Sequence, residues 1–305
     1  MLRVRRQLGC EKKTAGAYTG EGITVAILDT GIYLHPDFNG RILAFKDFVQ
    51  QKEKPYDDAG HGTHVAGCLA GSGYLSEGKY RGIAPGCHLV VGKVLDREGG
   101  GDTKKMLEAL SWVLEKKQHF DIRVLNISVG FEEHVEPMKI RALLTALEEV
   151  WKAGILIVVA AGNKGPRPGT ISPLGMGKHV LTVGCHDGDY NGGGMTLCSR
   201  YSGRGPSMSV LKKPDIVAPG TNIMGASAKC RRRKNRYEQA YEPKSGTSFA
   251  APLVSGAAAL LLEKYPGLTA EELRQRICYS ALDLGEPWSK QGWGMLNIGE
   301  LLKDH

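Results

Sequence analysis

Residues 22–29, Gly-Ile-Thr-Val-Ala-Ile-Leu-Asp, form a near-continuous apolar, β-branched run that stops at Asp29-Thr30-Gly31. A strand with one wet face alternates apolar and polar residues. A run that does not alternate is covered on both faces, as in a parallel sheet between layers of helices. Similar runs recur at 87–95, 122–129, 155–161, 179–185 and 214–217. Between them lie segments with helical spacing. These are 61–70, with small apolar residues; 103–117, with Met106, Leu107, Leu110, Val113 and Leu114 on one face; and 137–153, with Ile140, Leu143, Leu144, Leu147 and Val150. Residues 249–262 are apolar all round and read as a buried helix, and 269–281 open with Thr269 and Glu272, a capping box. Strands alternating with helices predict an α/β fold with a mostly parallel central sheet and helices on both faces.

No Pro/Gly/Ser-rich linker, internal repeat or composition break divides the 305 residues, so one domain over 21–305 is expected, preceded by a polar, basic arm or short surface helix over 1–20. The 41 glycines are dispersed and imply tight turns and close backbone approaches rather than a linker. Lysine and arginine exceed acidic residues by 40 to 32, a net charge of +8 that permits an acidic partner without demanding one. Arg3, Arg5 and Arg6 are not followed by the apolar core of a secretory signal, and no apolar run reaches the roughly 18 residues of a membrane helix. The expectation is a cytoplasmic protein without membrane contact, or a mature form trimmed of a leader. Seven cysteines, an odd and widely spaced set with no C-x-x-C pair, argue against a disulfide framework or zinc site and for a reducing compartment. They read as buried small hydrophobes with an exposed thiol or two.

Three short motifs carry the chemistry: Asp29-Thr30-Gly31, His61-Gly62-Thr63-His64 and Gly246-Thr247-Ser248. Each is weak alone, since Asp ends many strands and a Gly-Thr-Ser turn is an ordinary helix start. Ser248 nevertheless falls in the first turn of a buried helix, where backbone N–H groups lack partners inside the helix. In the order Asp, His, Ser, and with Ala160-Ala161-Gly162-Asn163, the chain resembles the subtilisin family of serine peptidases over about residues 20–300.

The resemblance implies a three-layer fold and assigned roles. His61 is the general base and later the acid, Asp29 orients it, Ser248 is the nucleophile, and Asn163 donates to the oxyanion beside the Ser248 N–H. His64 reads as structural, and a zinc role for the histidine pair lacks the His-Glu-x-x-His spacing and a third ligand. An extended substrate is expected to pair with Gly99-Gly100-Gly101 on one side and Ser128-Val129-Gly130 on the other. The pocket for the side chain before the cleaved bond is expected between Ser128-Val129-Gly130 and Ala160-Ala161-Gly162, with residues near 171–173 at its base, and to prefer apolar residues.

Secreted members of the family carry an inhibitory prodomain, and with about 28 residues before Asp29 none is expected within this sequence. The stretch 71–78 offers only Ser76 and Glu77 as side-chain oxygens where relatives carry a calcium loop, and calcium takes six to eight oxygens. No cofactor is therefore expected to be required, calcium staying possible although its usual loop site looks absent, and both features resemble the intracellular branch. The run Cys230-Arg231-Arg232-Arg233-Lys234-Asn235-Arg236 has no interleaved aromatics beyond Tyr237, which argues against a nucleic-acid patch. It reads as a solvated loop, a recruiter of acidic residues on the leaving-group side, or a self-cleavage site. The sequence points to an endopeptidase acting on peptides or proteins. The competing reading is a catalytically silent peptide-binding protein on the same scaffold.

Overall fold

A computed structural model describes residues 1–11, 15–129, 136–188, 197–206, 211–234 and 236–304. Its centre is a seven-stranded parallel sheet in the order β2-β3-β1-β4-β5-β6-β7. The strands are β1 Thr24–Asp29, β2 Ile42–Asp47, β3 His88–Lys93, β4 Ile122–Ile127, β5 Leu156–Ala160, β6 Val180–Cys185 and β7 Ile216–Ala218. All six residues of β1 are buried, and alternate ones feed two different cores. Val25 and Ile27 pack on one face with α2 (His61–Ala70) and α6 (Thr247–Lys264), while Ala26 and Leu28 pack on the other with α3 (Thr103–Phe120) and α4 (Pro137–Lys152). This two-sided cover is why the strand sequences do not alternate.

α6 is buried at 15 of its 18 positions, which explains its lack of a polar face. α7 (Ala270–Tyr279) begins with the expected capping box: the Glu272 N–H donates to Thr269 Oγ1, and the Thr269 N–H donates back to Glu272 Oε2.

Several expectations need revision. The N-terminal segment contains a short helix, α1 (Leu2–Gln7), but Met1, Val4, Leu8 and Cys10 enter the larger core, and buried Arg5 donates to the Gly82 carbonyl at 2.6 Å. It is inserted rather than laid on the surface. Strand β2 escaped the sequence reading because its burial is mixed, as befits the sheet edge. The basic run is not a plain loop. β8 (Ile223–Ala226) pairs antiparallel with β11 (Tyr241–Lys244), and from this ribbon projects a second one, β9 (Arg231–Arg233) against β10 (Arg236–Glu238).

The cysteine reading also changes. Cys185, at the end of β6, is paired with Cys198 in the short helix α5 (Leu197–Tyr201), and the five free cysteines are all buried. Among the described residues, no helix is long and apolar enough to cross a membrane.

α2 lies close against β8 because Gly67 has no side chain. A Cβ there would collide with the backbone nitrogen of Ala226. Gly67→Ala should therefore destabilise the protein although alanine is the better helix former by about 1 kcal/mol, since overpacking costs about 1–3 kcal/mol. A lower midpoint of thermal unfolding is expected. An unchanged or raised midpoint would mean that the two backbones do not meet there.

Candidate active site

Strands β1, β4 and β5 run parallel, so their carboxyl ends open on one edge of the sheet, where functional groups of such folds gather. Asp29 ends β1, and its side chain is fully buried. One oxygen, Oδ1, accepts the Thr30 N–H at 2.7 Å and lies 2.7 Å from His61 Nδ1. The other, Oδ2, is buried without a hydrogen-bond partner among the described residues. Much of the electrostatic compensation of this carboxylate therefore falls to His61.

His61 is the first residue of α2, and the approach of that helix to β1 is set by small residues and a second carboxylate. A Cβ on Gly62 would strike the Gly31 carbonyl and stand 3.2 Å from Asp29 Oδ1. Asp57 ties the helix start to the strand end: Oδ2 accepts the Thr63 N–H (2.8 Å) and hydroxyl (2.6 Å), and Oδ1 accepts the Gly60 N–H (2.7 Å) and the Thr30 hydroxyl (2.8 Å). Thr30 Oγ1 in turn accepts the Gly62 N–H at 2.9 Å. Asp57, Thr30 and Thr63 thus hold His61 in register. The sequence reading quoted Thr30 and Thr63 within their motifs without a role and passed over Asp57, which reaches the helix start from outside the N-cap position.

Burial lowers the His61 pKa, but the adjacent Asp29 charge and its hydrogen bond outweigh that, and the net shift is upward from the ordinary 6.5. Stability from this pair is therefore fully present below about 6.5 and fades as pH rises through the raised value. His64, on the same helix, goes the other way. It is fully buried, its Nε2 faces the carbonyls of Ile223 and Glu242 at 3.0 Å each, and burial with the nearby Lys244 pushes it down to about 3. Two carbonyls facing Nε2 place the proton there. His64 joins α2 to the β8–β11 ribbon as a neutral ring.

That ribbon runs directly into the start of α6. Ser248 is the second residue of α6 and is half-buried. Pro252 has no N–H to give the Ser248 carbonyl four residues back, which loosens the first turn. The adjacent Phe249 ring packs 5.2 Å from the His61 ring and 4.5 Å from that of His64, which brings the serine's turn against the histidine. Ser248 Oγ forms no hydrogen bond to His61 among the described residues. Such bonds in free enzymes often tighten only when substrate fills the cleft.

Asn163 follows β5 and is exposed. Its Oδ1 accepts both the Thr247 N–H (2.9 Å) and the Thr247 hydroxyl (3.0 Å), and Thr247 Oγ1 accepts the Gly162 N–H at 3.1 Å. With Oδ1 so engaged, the amide is oriented, and its two Nδ2 hydrogens have no hydrogen-bond partner among the described residues. Thr247, also passed over in the sequence, is the residue that aims it.

The residues expected to line the cleft, where described, are held by bonds of their own. Ser128 and Val129 are buried, and Ser128 Oγ accepts from Asn126 Nδ2 (2.9 Å), whose Oδ1 accepts from Ser255 of α6 (2.9 Å). Ala160 and Ala161 are buried, and Gly162 has φ +95°, a conformation suited to glycine. Gly130 lies outside the described residues. The loop at 99–101 closes on Asp96: the Gly99 N–H donates to its carbonyl, the Gly100 N–H donates to Asp96 Oδ1 at 2.8 Å, and Gly101 bridges Leu95.

Among the described residues, one group of metal-ligand atoms within 4.8 Å was found, Cys185, Asp187 and Cys198. Its sulfurs are bonded to each other, and Asp187 accepts from the Gly220 N–H and from the Thr221 N–H and hydroxyl.

The chain is similar to known proteins over most of its length. A family profile described as the Subtilase family matches residues 20–294. "Serine protease AprX" of Bacillus subtilis (strain 168) is 41% identical over 273 residues, covering 84% of this chain and 60% of that protein. This chain thus spans somewhat under two thirds of AprX. "Subtilisin DY" of Bacillus licheniformis is 31% identical, covering 94% of this chain and 93% of its own. A crystal structure of a cold adapted subtilisin-like serine proteinase superposes with a TM-score of 0.67 at 29% identity, over 92% of this chain and 88% of that one. A lanthipeptide protease, at 24% identity, shares the fold with a TM-score of 0.81 over 99% of this chain and 93% of that one. The chain belongs to the subtilase family.

Proposed function

We propose that the chain hydrolyses internal peptide bonds of peptides or proteins through an acyl-enzyme formed on Ser248. The observation that carries this reading is the 2.7 Å contact between His61 Nδ1 and buried Asp29, beside the first turn of α6. Asp29 accepts a hydrogen bond from Nδ1–H, which keeps that proton on Nδ1, so Nε2 is the basic nitrogen and takes the Ser248 proton as Oγ attacks the carbonyl carbon. The carbonyl oxygen becomes an oxyanion, met by the Ser248 N–H and Asn163 Nδ2. His61 then protonates the leaving amine, the C–N bond breaks, and water repeats the sequence on the ester. In subtilisin, a member of this family, loss of one oxyanion donor costs about 10²–10³ in kcat.

Substrate lies extended between the 99–101 loop and Ser128-Val129. The residue before the scissile bond enters between Val129 and Ala160-Ala161-Gly162, whose apolar character favours an apolar side chain. A silent binding protein would not need an imidazole held to a buried carboxylate. Labelling by a fluorophosphonate probe separates the two readings. The folded wild type should label and Ser248→Ala should not; a folded wild type that stays unlabelled removes the peptidase reading.

Catalysis in this account needs neutral His61. Because Asp29 raises its pKa, kcat/KM should fall as pH drops through a value above 6.5. Asp29→Asn removes the raising contributions and leaves burial, so the acid limb should move to lower pH while kcat falls by about 10⁴-fold. An acid limb that does not move would show that another group controls it.

We also propose that the 72–78 loop works without calcium. What supports this is the use of its groups: Asp37 accepts the Gly73 N–H (3.0 Å) and the Tyr241 hydroxyl (2.9 Å), and Ser76 Oγ donates to the Gly73 carbonyl (3.0 Å). A buried carboxylate already organises the turn, and the available oxygens do not fit an ion that takes six to eight. A chelator should leave the thermal midpoint unchanged; a fall would reveal a stabilising ion.

A further inference from the structure

The β9–β10 ribbon carries charge that neither the fold nor the catalytic centre uses. Arg231, Arg232, Arg233, Lys234 and Arg236 are all basic, and both strands are exposed throughout. Among the described residues only Arg233 has an acidic partner, Glu238 at 4.0 Å. The register sets Arg233 directly opposite Arg236, a like-charge pair, and Glu238 opposite Arg231, so a single carboxylate serves five basic side chains. The same register puts Arg232 and Tyr237 on one face. Tyr237 lines a cavity of about 650 Å³ together with Leu34, Arg41 and Tyr74, and Leu34 and Tyr74 are 61% and 71% exposed. A basic ribbon thus borders a groove with apolar and aromatic walls.

The ribbon stands on the His61 side of the centre. The Tyr33 hydroxyl donates to the Cys230 carbonyl (2.8 Å), and His35 Nε2 lies 2.9 Å from the Ala240 carbonyl, so both ends of the projection rest on the loop that leaves Asp29. The Tyr33 N–H donates to Thr63, two residues past His61, and Lys244 Nζ donates to the Gly60 carbonyl, one residue before it.

We propose that this ribbon and groove form an exosite for an acidic segment of a protein substrate, lying beyond the scissile bond on its leaving-group side. The side rests on the reading above: His61 protonates the leaving amine, so the chain bearing that amine departs past His61, toward the ribbon. The polypeptide class follows from the mixture of unpartnered cations with apolar walls. A single-stranded nucleic acid needs a run of stacking aromatics, and the ribbon supplies Tyr237 alone.

The test uses fluorogenic peptides with one cleaved core and a tail of equal length, either Glu/Asp-rich or Ser/Gly-rich, on the C-terminal or the N-terminal side. The acidic C-terminal tail should raise kcat/KM about tenfold at low ionic strength, through KM, and lose the advantage in high salt. In the variant Arg231→Gln/Arg232→Gln/Arg233→Gln/Lys234→Gln the advantage should vanish while hydrolysis of the untailed core persists, which also shows that the variant is folded. Equal rates for the two C-terminal tails, an advantage confined to the N-terminal tail, or an advantage that survives the variant would each overturn the proposal. Competition by an oligonucleotide or anionic vesicles without any tail effect would overturn it in favour of another partner class. Fluorescence anisotropy with the Ser248→Ala chain separates this inference from the one beneath it. Tail-dependent binding supports the exosite even without turnover, and turnover without tail dependence supports the peptidase and removes the exosite.

Discussion

Most of the site depends on one contact, the hydrogen bond between a carboxylate sealed at the end of the central strand and the first residue of a helix packed across it. Asp29 cannot move, because β1 is buried between β3 and β4. The helix must therefore come to it. Gly62 allows that approach, and the Asp57–Thr30–Thr63 network fixes its register. In water such an ion pair is worth little. Here the carboxylate has one unpartnered oxygen and no solvent, so the imidazole is held in one tautomer and its basicity is raised.

The Ser248 side of the site is organised separately. Thr247 couples the start of α6 to Asn163 and Gly162, while the β8–β11 ribbon joins α6 to α2 through His64. Two rigid supports thus meet at Phe249, whose ring touches both histidines. Preorganised donors in a partly dry cleft are worth more than the same donors in water, because they need not reorient during the reaction.

The sheet, its two helical layers and the meeting of Asp29 with His61 were legible in the sequence because their signals are local. A buried strand shows as an unbroken apolar run, and Ser248 and His61 each sit at a helix start with recognisable neighbours. What was not legible depends on distant partners. Asp57 matters only because β1 and α2 meet. The pairing of Cys185 with Cys198 needs β6 and α5 folded together. The Arg-rich run reads as a loop because strand propensity is weak there, and its ribbon exists through pairing alone. Edge strand β2 carries too mixed a pattern to stand out.

A crystal structure of the chain after reaction with a peptidyl phosphonate or boronate tests the central claim most directly. The account predicts a covalent bond to Ser248 Oγ, an inhibitor oxygen within hydrogen-bonding reach of both Asn163 Nδ2 and the Ser248 N–H, and His61 Nδ1 still on Asp29. An adduct on another residue, or an oxygen turned away from Asn163, would contradict it.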